Sequence, residues 1–278
     1  VDVVVAPGKL LEFIGSDAAS TMLTQLINGQ ARLACALYDF QAGYQVLTPS
    51  LNFNGVRLSG QKHFVPDGGH ADILLVTALN GSELVLCAVP LKLCETQRYR
   101  ALDGSRMVNV LFEDVGITDE MIIARGEVVE EALGRLLAYL RALDCARMYG
   151  AASALYQRTL EYAKIRKQFG VTIGSFQVIQ HYLVDMFIDL QQLESMLLMV
   201  AIKAESTDDF QRQRASLAAK AYYADKAVRI AQQAIQIHGG IGVTEELDVG
   251  HYFRLITHGS LTHGDRAHLV KGFAELRN

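Results

Sequence analysis

The chain has 278 residues, enough for two domains or one large one. At 50% hydrophobic and 20% charged residues it has the balance of an ordinary globular protein. A net charge of -4 argues against nucleic acid or an anionic membrane surface as partner, and no apolar run reaches the ~20 residues of a membrane span. Four cysteines, Cys35, Cys87, Cys94 and Cys145, form no CxxC pair and no metal-ligand spacing. Cys87 and Cys94 lie in strand-like apolar sequence and read as reduced core thiols, which suits a cytoplasmic location. The chain opens on Val1 and not on Met, so a targeting segment ahead of it remains an open alternative.

Residues 1–28 read as helices, with a capped start at Ser16-Asp-Ala-Ala. From 31 to 115 the character changes. Residues 32–38, 56–59, 73–77, 84–89 and 107–112 are short β-rich runs, and the turn signals Asn54-Gly, Asp67-Gly-Gly and Asn80-Gly separate them. Strands so short and closely spaced predict an antiparallel barrel or sandwich. All four prolines (Pro7, Pro49, Pro66, Pro90) fall in the first 90 residues, which places a boundary between 90 and 130. Beyond it the spacing predicts helices over 127–167, 176–205, 209–237 and 262–276, joined by short connections into a four-helix bundle. The fold class is therefore α+β, a β-domain followed by an all-α bundle.

Between the first two bundle helices lies Tyr162-Ala-Lys-Ile-Arg166-Lys-Gln168-Phe169-Gly170-Val-Thr-Ile-Gly174-Ser-Phe176-Gln177. Leu133, Leu136, Leu137, Leu140 and Leu143 precede it at helical spacing, and Leu183, Met186, Phe187, Leu190, Leu193 and Leu197 follow it. Gly170 and Gly174 bracket a break, so the stretch reads as a tight turn between antiparallel helices. Arg166 there suits either of two tasks: forking onto a carboxylate or phosphate, or satisfying the last carbonyls of its own helix. His258, His263 and His268, spaced by five, spread around a helix instead of aligning, so no metal site is expected.

Tyr-x-x-x-Arg-x-Gln-Phe-Gly, followed by Ile-x-x-Phe-Gln-x-x-Gln180-His181-x-x-x-Asp185-Met186, resembles the C-terminal helical domain of the acyl-CoA dehydrogenase family. A second block, Gln236-Ile-His238-Gly239-Gly240-Ile-Gly242-Val-Thr-Glu245, stands in the family's order and at about its spacing. The resemblance implies three parts: a remnant of the family's helical N-terminal domain over 1–30, the middle β-domain over 31–125, and the C-terminal bundle over 126–278. It implies FAD bound between subunits. Arg166 would meet the pyrophosphate with Gln168 and Phe169 beside it, and Gln236 with the Gly239-Gly240 turn would meet the ADP portion. A bidentate arginine suits a pyrophosphate, and glycines let a backbone approach phosphate. From the residues alone, His238-Gly-Gly-Ile-Gly242 also reads as a plain helix-ending loop.

On the flavin-ring side, the family pattern Lys-x-aromatic-Ile-Thr appears as Lys62-His63-Phe64-Val65-Pro66. Phe64 and Val65 fit it, and Pro66 replaces a hydroxyl and removes a backbone donor. The loop after the first strand reads Tyr38-Asp39-Phe40-Gln41-Ala42-Gly43 where the family has a Thr-Glu-Pro-Gly type. The reaction also needs a base near the thioester. The family's usual glutamate position is His263, in Thr262-His263-Gly264-Asp265, and its minority position is Leu140. Arg141 beside it matches a family arginine near the acyl-CoA, and Asp144, one turn on, is a further candidate.

Gly174-Ser-Phe-Gln, Val184-Asp-Met-Phe187 and Gly250-His-Tyr-Phe-Arg254 with His263-Gly-Asp265-x-x-His268-Leu are similar to the small subunit of pimeloyl-CoA-dehydrogenase-type enzymes, which are two-gene members of the family. The expectation is a subunit of a heteromeric, tetrameric FAD-dependent acyl-CoA dehydrogenase, non-catalytic or contributing a half-site, with a homologous subunit as partner. Two alternatives stay open: a self-sufficient homotetramer using His263 or Asp144 as base, and a flavin-free structural paralogue. The acyl group, whether dicarboxylyl, fatty or steroid side chain, is not legible.

Overall fold

A computed structural model describes residues 3–276 and divides into two compact units, one ending at Leu137 and the other beginning at Ala138. Helix α3 (Glu127–Ile165), 39 residues with no proline, runs through the division.

The first unit opens with α1 (Val5–Ile14) and α2 (Asp17–Ile27). Gly15, at φ 66, ends α1 in the left-handed conformation. Ser16 then caps α2 as its sequence predicts: its Oγ accepts from the Ala19 amide at 3.2 Å and donates to the Ile123 carbonyl at 3.1 Å. Such a cap contributes about 1 kcal/mol.

Eight strands follow: β1 (Leu33–Ala36), β2 (Asn52–Phe53), β3 (Arg57–Pro66), β4 (Ile73–Asn80), β5 (Glu83–Pro90), β6 (Glu95–Arg100), β7 (Arg106–Gly116) and β8 (Ile122–Arg125). They form one sheet in the order β6-β7-β3-β2-β4-β5-β8, with β1 paired to β4. The predicted barrel is not formed, because the ladder does not close: β6 pairs with β7, and β8 with β5. Nor is the sheet purely antiparallel, since β1 and β2 each pair with β4 in parallel. Strands β4 and β5 are buried almost along their whole length, so they read as continuous apolar runs and not as alternation. Asn80-Gly81 turns one into the other with Asn80 opposite Glu83 and Gly81 at φ 64, the glycine geometry a two-residue hairpin loop demands.

The second unit holds the remainder of α3 with α4 (Gln177–Ala204), α5 (Asp209–His238), α6 (Val249–Leu261) and α7 (Arg266–Glu275). The helical spacing seen in the sequence maps onto its core. Leu155, Met186, Leu193, Tyr223, Ile230 and Ile256 are fully buried, and the Tyr223 hydroxyl donates to the Leu193 carbonyl at 2.7 Å. The first three bundle helices lie where predicted, to within two residues. The fourth does not. The stretch 262–276 is broken at 262–265, and the helix completing the core is α6, which brings Val249 and Ile256 inward. Its sequence VGHYFRLITHGSL is rich in weak helix formers, so tertiary packing and not propensity decides its state. Gly259 is one reason for that composition: a Cβ there would stand 3.0 Å from Met148 Cγ.

Candidate functional site

The break after α3 is a miniature hairpin and not a simple turn. Strand β9 (Lys167–Gln168) pairs antiparallel with β10 (Val171–Thr172) around Phe169-Gly170. Both tip residues have positive φ, 54 and 84, as a primed two-residue turn requires. For Phe169 that backbone costs about 1–2 kcal/mol. The ring is 92% exposed and lies edge-on to Phe176, with centroids 6.2 Å apart. The hairpin is pinned to α3 by the Ile173 amide donating to the Arg166 carbonyl at 2.8 Å. It is also pinned by contact at Gly174, where a Cβ would lie 2.9 Å from the Ala163 carbonyl oxygen.

Arg166 sits at the foot of this hairpin. It is exposed, and its guanidinium has no hydrogen bond or ion pair among the described residues. The alternative in which it satisfies its own helix carbonyls is therefore not what the structure contains. One turn earlier, Tyr162 stacks on His238, with ring centroids 4.3 Å apart and planes 25° from parallel. That stack brings the end of α3 to the end of α5 and joins the two sequence blocks. His238 is buried, its Nδ1 donates to the Ala234 carbonyl at 2.8 Å, and burial lowers its pKa, which keeps the ring neutral. Two residues before it, Gln236 is exposed. Just after it, Gly239 turns out of the helix at φ 65, ψ -145. A Cβ on Gly240 would meet nothing within 4 Å. Gln168 and Phe169 lie on the exposed hairpin. The unit thus presents an unpaired cation, an amide side chain and bare backbone on one end. That donor set fits the diphosphate and ribose portion of a nucleotide cofactor.

A second cluster forms around the turn between α6 and α7. His263, at φ 53, holds a left-handed conformation rare for a non-glycine residue. Its Nδ1 is 2.8 Å from Asp144 Oδ2. The same oxygen accepts from Thr262 Oγ1 at 3.0 Å and lies 3.3 Å from Lys220 Nζ. Lys220, fully buried, also donates to the Gly259 and Thr262 carbonyls, so it closes the C-terminal end of α6. Arg141, buried, donates from Nε to the His263 carbonyl at 3.0 Å. Burial alone would raise the Asp144 pKa, but His263, Lys220 and Thr262 outweigh it and hold it at about 2. The two base candidates read separately from the sequence are therefore one hydrogen-bonded pair. Leu140, at the other candidate position, is a buried core residue. Lys220 was missed in the sequence. Its signal is a lysine on the apolar stripe that runs through Ser216, Tyr223, Ala227 and Ile230, where a charge needs partners.

The sheet unit is different. Val65 is 1% exposed and its side chain belongs to the core, a direction that the strand pleat sets. Phe64, at φ 54, is half exposed and near His63, which in turn lies near the exposed Phe40, with centroids 6.2 and 5.7 Å apart. Beneath them Lys62 and Asp39 are buried as a contact pair at 2.6 Å. Lys62 also donates to Thr77 Oγ1 at 3.1 Å and the Leu37 carbonyl at 3.3 Å, and Asp39 accepts from the Ser50 amide. Burial pulls the Lys62 pKa down to about 8 against the opposing pull of Asp39. Beside this pair Pro66 has no N–H to donate.

Among the described residues no group of three or more His, Cys, Asp or Glu side chains is placed to hold a metal ion. No helix among them is long and apolar enough to cross a membrane.

Residues 130–269 match the family described as acyl-CoA dehydrogenase, C-terminal domain. The probable acyl-CoA dehydrogenase YngJ of Bacillus subtilis is 29% identical over 266 residues, 88% of this chain and 68% of that one. The curated relatives with the longest shared stretches are matched over 58–68% of their own length. Butyryl-CoA dehydrogenase from Megasphaera elsdenii superposes with a TM-score of 0.87 at 24% identity, over 99% of this chain and 76% of that one. The ChsE4-ChsE5 complex from Mycobacterium tuberculosis does so with 0.84 at 21%, over 98% and 74%.

Proposed function

The chain belongs to the acyl-CoA dehydrogenase family, and on that premise we propose that it is a half-site subunit of an FAD-dependent acyl-CoA dehydrogenase. Its bundle unit would hold the ADP end of an FAD whose ring is seated on a homologous partner chain, in a hetero-oligomer of tetrameric build. When bound, FAD supplies the oxidant for α,β-desaturation of an acyl-CoA thioester. Arg166 would bind the pyrophosphate, Gln236 and the Gly239-Gly240 backbone the remainder of the ADP, and Gln168 and Phe169 would flank it. The observation that carries this reading is the exposed, unpaired Arg166 guanidinium beside the Tyr162–His238 stack. The similarity to a two-chain complex supports the heteromer, as does the self-satisfied Lys62–Asp39 region. We place the protein in the cytoplasm, where the thiols of its four cysteines remain reduced.

The test is the visible spectrum of the chain purified alone and with a homologous acyl-CoA dehydrogenase subunit from the same organism. Flavin bands only in the pair, at about one FAD per two chains, are expected. Arg166→Ala lowers occupancy of the pair by the ~1.5–3 kcal/mol of a charge-assisted contact. Full flavin in the chain alone, or unchanged occupancy in the variant, would sink this reading.

A further inference from the structure

Helix α4 has two apolar faces, and its own chain uses only one of them. Leu183, Met186, Leu190, Leu193 and Val200 are buried in the bundle core. On the opposite side Val184, Phe187, Ile188, Leu198 and Ile202 are exposed. A helix that is apolar on both sides is normally covered on both. The outward residues also keep a stricter spacing than a solvent face needs. From Val184 they run through Ile188, Gln191, Ser195, Leu198 and Ile202, in alternating steps of four and three. His181 before them and Glu205, the C-cap, after them continue the alternation. A sustained period of 3.5 is the seam of two helices packed along each other.

The seam also reads the same, chemically, from either end. Turned end for end about a midpoint between Gln191 and Ser195, it sets Val184 opposite Ile202 and Ile188 opposite Leu198. Gln191 falls opposite Ser195, and His181 opposite Glu205. Each pair matches: apolar with apolar, amide with hydroxyl, imidazole with carboxylate. Ser195 Oγ already donates to the Gln191 carbonyl of its own helix at 3.1 Å. Its lone pairs are left to accept, and a glutamine N–H is what they would receive. Beside Val184 lies a groove of about 340 Å³, lined by Tyr156, Leu160, Leu183 and Phe187.

We propose that α4 pairs with α4 of a second copy of this chain, antiparallel about a two-fold axis between Gln191 and Ser195. Complementarity of a surface to itself about a midpoint is what a two-fold interface requires, and what an unrelated partner does not. Ile202 of each copy, 74% exposed in the single chain, covers Val184 and its groove on the other. Two Gln191–Ser195 hydrogen bonds at the axis fix the register, as polar residues inside a helix pair do. Glu194, beside the axis, is engaged with the Tyr149 hydroxyl of its own chain. The five exposed apolar residues supply roughly two thirds of the ~800 Å² that each partner gives to a stable interface, and the polar seam residues add to it. The pairing uses none of the residues assigned to the nucleotide, so it goes beyond the half-site reading and does not depend on it.

The full chain is purified alone and with a homologous acyl-CoA dehydrogenase subunit from the same organism. Particle mass and stoichiometry are read by native mass spectrometry and sedimentation. Particles holding two copies of this chain are expected in both samples. Leu198→Glu should raise the dissociation constant between the copies about 100-fold or more, since each pair would bury two carboxylates. Leu198 is exposed in its own chain, and circular dichroism checks that the variant stays helical. Adding Ile188→Lys to that variant should restore pairing, because position 188 faces position 198 of the other copy. Within one helix the two lie ~15 Å apart, so the rescue cannot come from inside a chain. Single-copy particles overturn the proposal. So does pairing that survives Leu198→Glu, or a loss that Ile188→Lys fails to restore. If Leu198→Glu releases the homologous subunit in place of the second copy, the face belongs to that subunit and the proposal is equally overturned. Flavin content of the same samples tests the half-site reading separately.

Discussion

Two cations in this molecule are treated in opposite ways. Lys62 in the sheet unit is fully buried and has three partners: Asp39, Thr77 and a backbone carbonyl. Arg166 in the bundle unit is exposed and has none among the described residues. A buried charge must be satisfied from within, because the desolvation cost is otherwise several kcal/mol. A charge left unsatisfied at a rigid surface remains available to a ligand. The contrast separates a motif-like region whose charge is satisfied within the fold from one whose charge is left at the surface. Both descend from recognisable family positions, and only their partners separate them.

Removing the inner cation should have the largest effect. Lys62→Ala strands Asp39 in the core and is expected to lower stability by about 3–5 kcal/mol in urea unfolding. Replacing the pair together, Lys62→Met with Asp39→Leu, should recover most of that loss. A double variant as unstable as the single one would mean that the pair is more than a matched desolvation. Next comes pH. Asp144 has a folded pKa depressed to about 2, so its contribution is fully present above the ordinary carboxylate value near 4 and is lost as pH falls toward 2. About 2 kcal/mol of stability should disappear across that window, and His263→Ala, which removes one of the groups holding Asp144 down, should shrink the loss. Removing the outer cation is expected to leave stability alone: Arg166→Ala should unfold within about 0.5 kcal/mol of the parent, even as flavin occupancy falls. A large destabilisation would erase the comparison. The smallest effect is expected of Phe169→Gly. It relieves a left-handed phenylalanine but adds freedom to the unfolded chain, for a net change of under about 1 kcal/mol in melting experiments.

What could be read from the sequence follows from how local each signal is. Helices α3, α4 and α5 repeat apolar residues at 3.6-residue spacing over many turns, so their core faces were legible. Strand β6, Glu-Thr-Gln-Arg-Tyr-Arg, was not. It is an exposed strand at the edge of the sheet, recruited by pairing with β7, and it has no buried face to leave a pattern. The barrel expectation failed because turn spacing reports how many strands there are, not whether the last returns to the first. Arg166 and Gln236 could be singled out because each stands in a contiguous block. The His263 cluster was not seen as a cluster, since Asp144 lies 119 positions away in the chain and Lys220 is recruited from a third helix. Only the packing of α3, α5 and α6 brings them together.

Lys62 and Lys220 share one further property. Both amines are completely shielded from water, and both carry interactions that the fold depends on. Thioesters acylate exposed amines without any enzyme, and a lysine whose pKa has fallen to about 8 would be the more nucleophilic target if it were reachable. On the proposed function, burial places these two amines beyond that chemistry. Acyl adducts should accumulate on surface lysines such as Lys164 and Lys271, and the molecule can age chemically at its surface while the amines that hold it together stay unmodified.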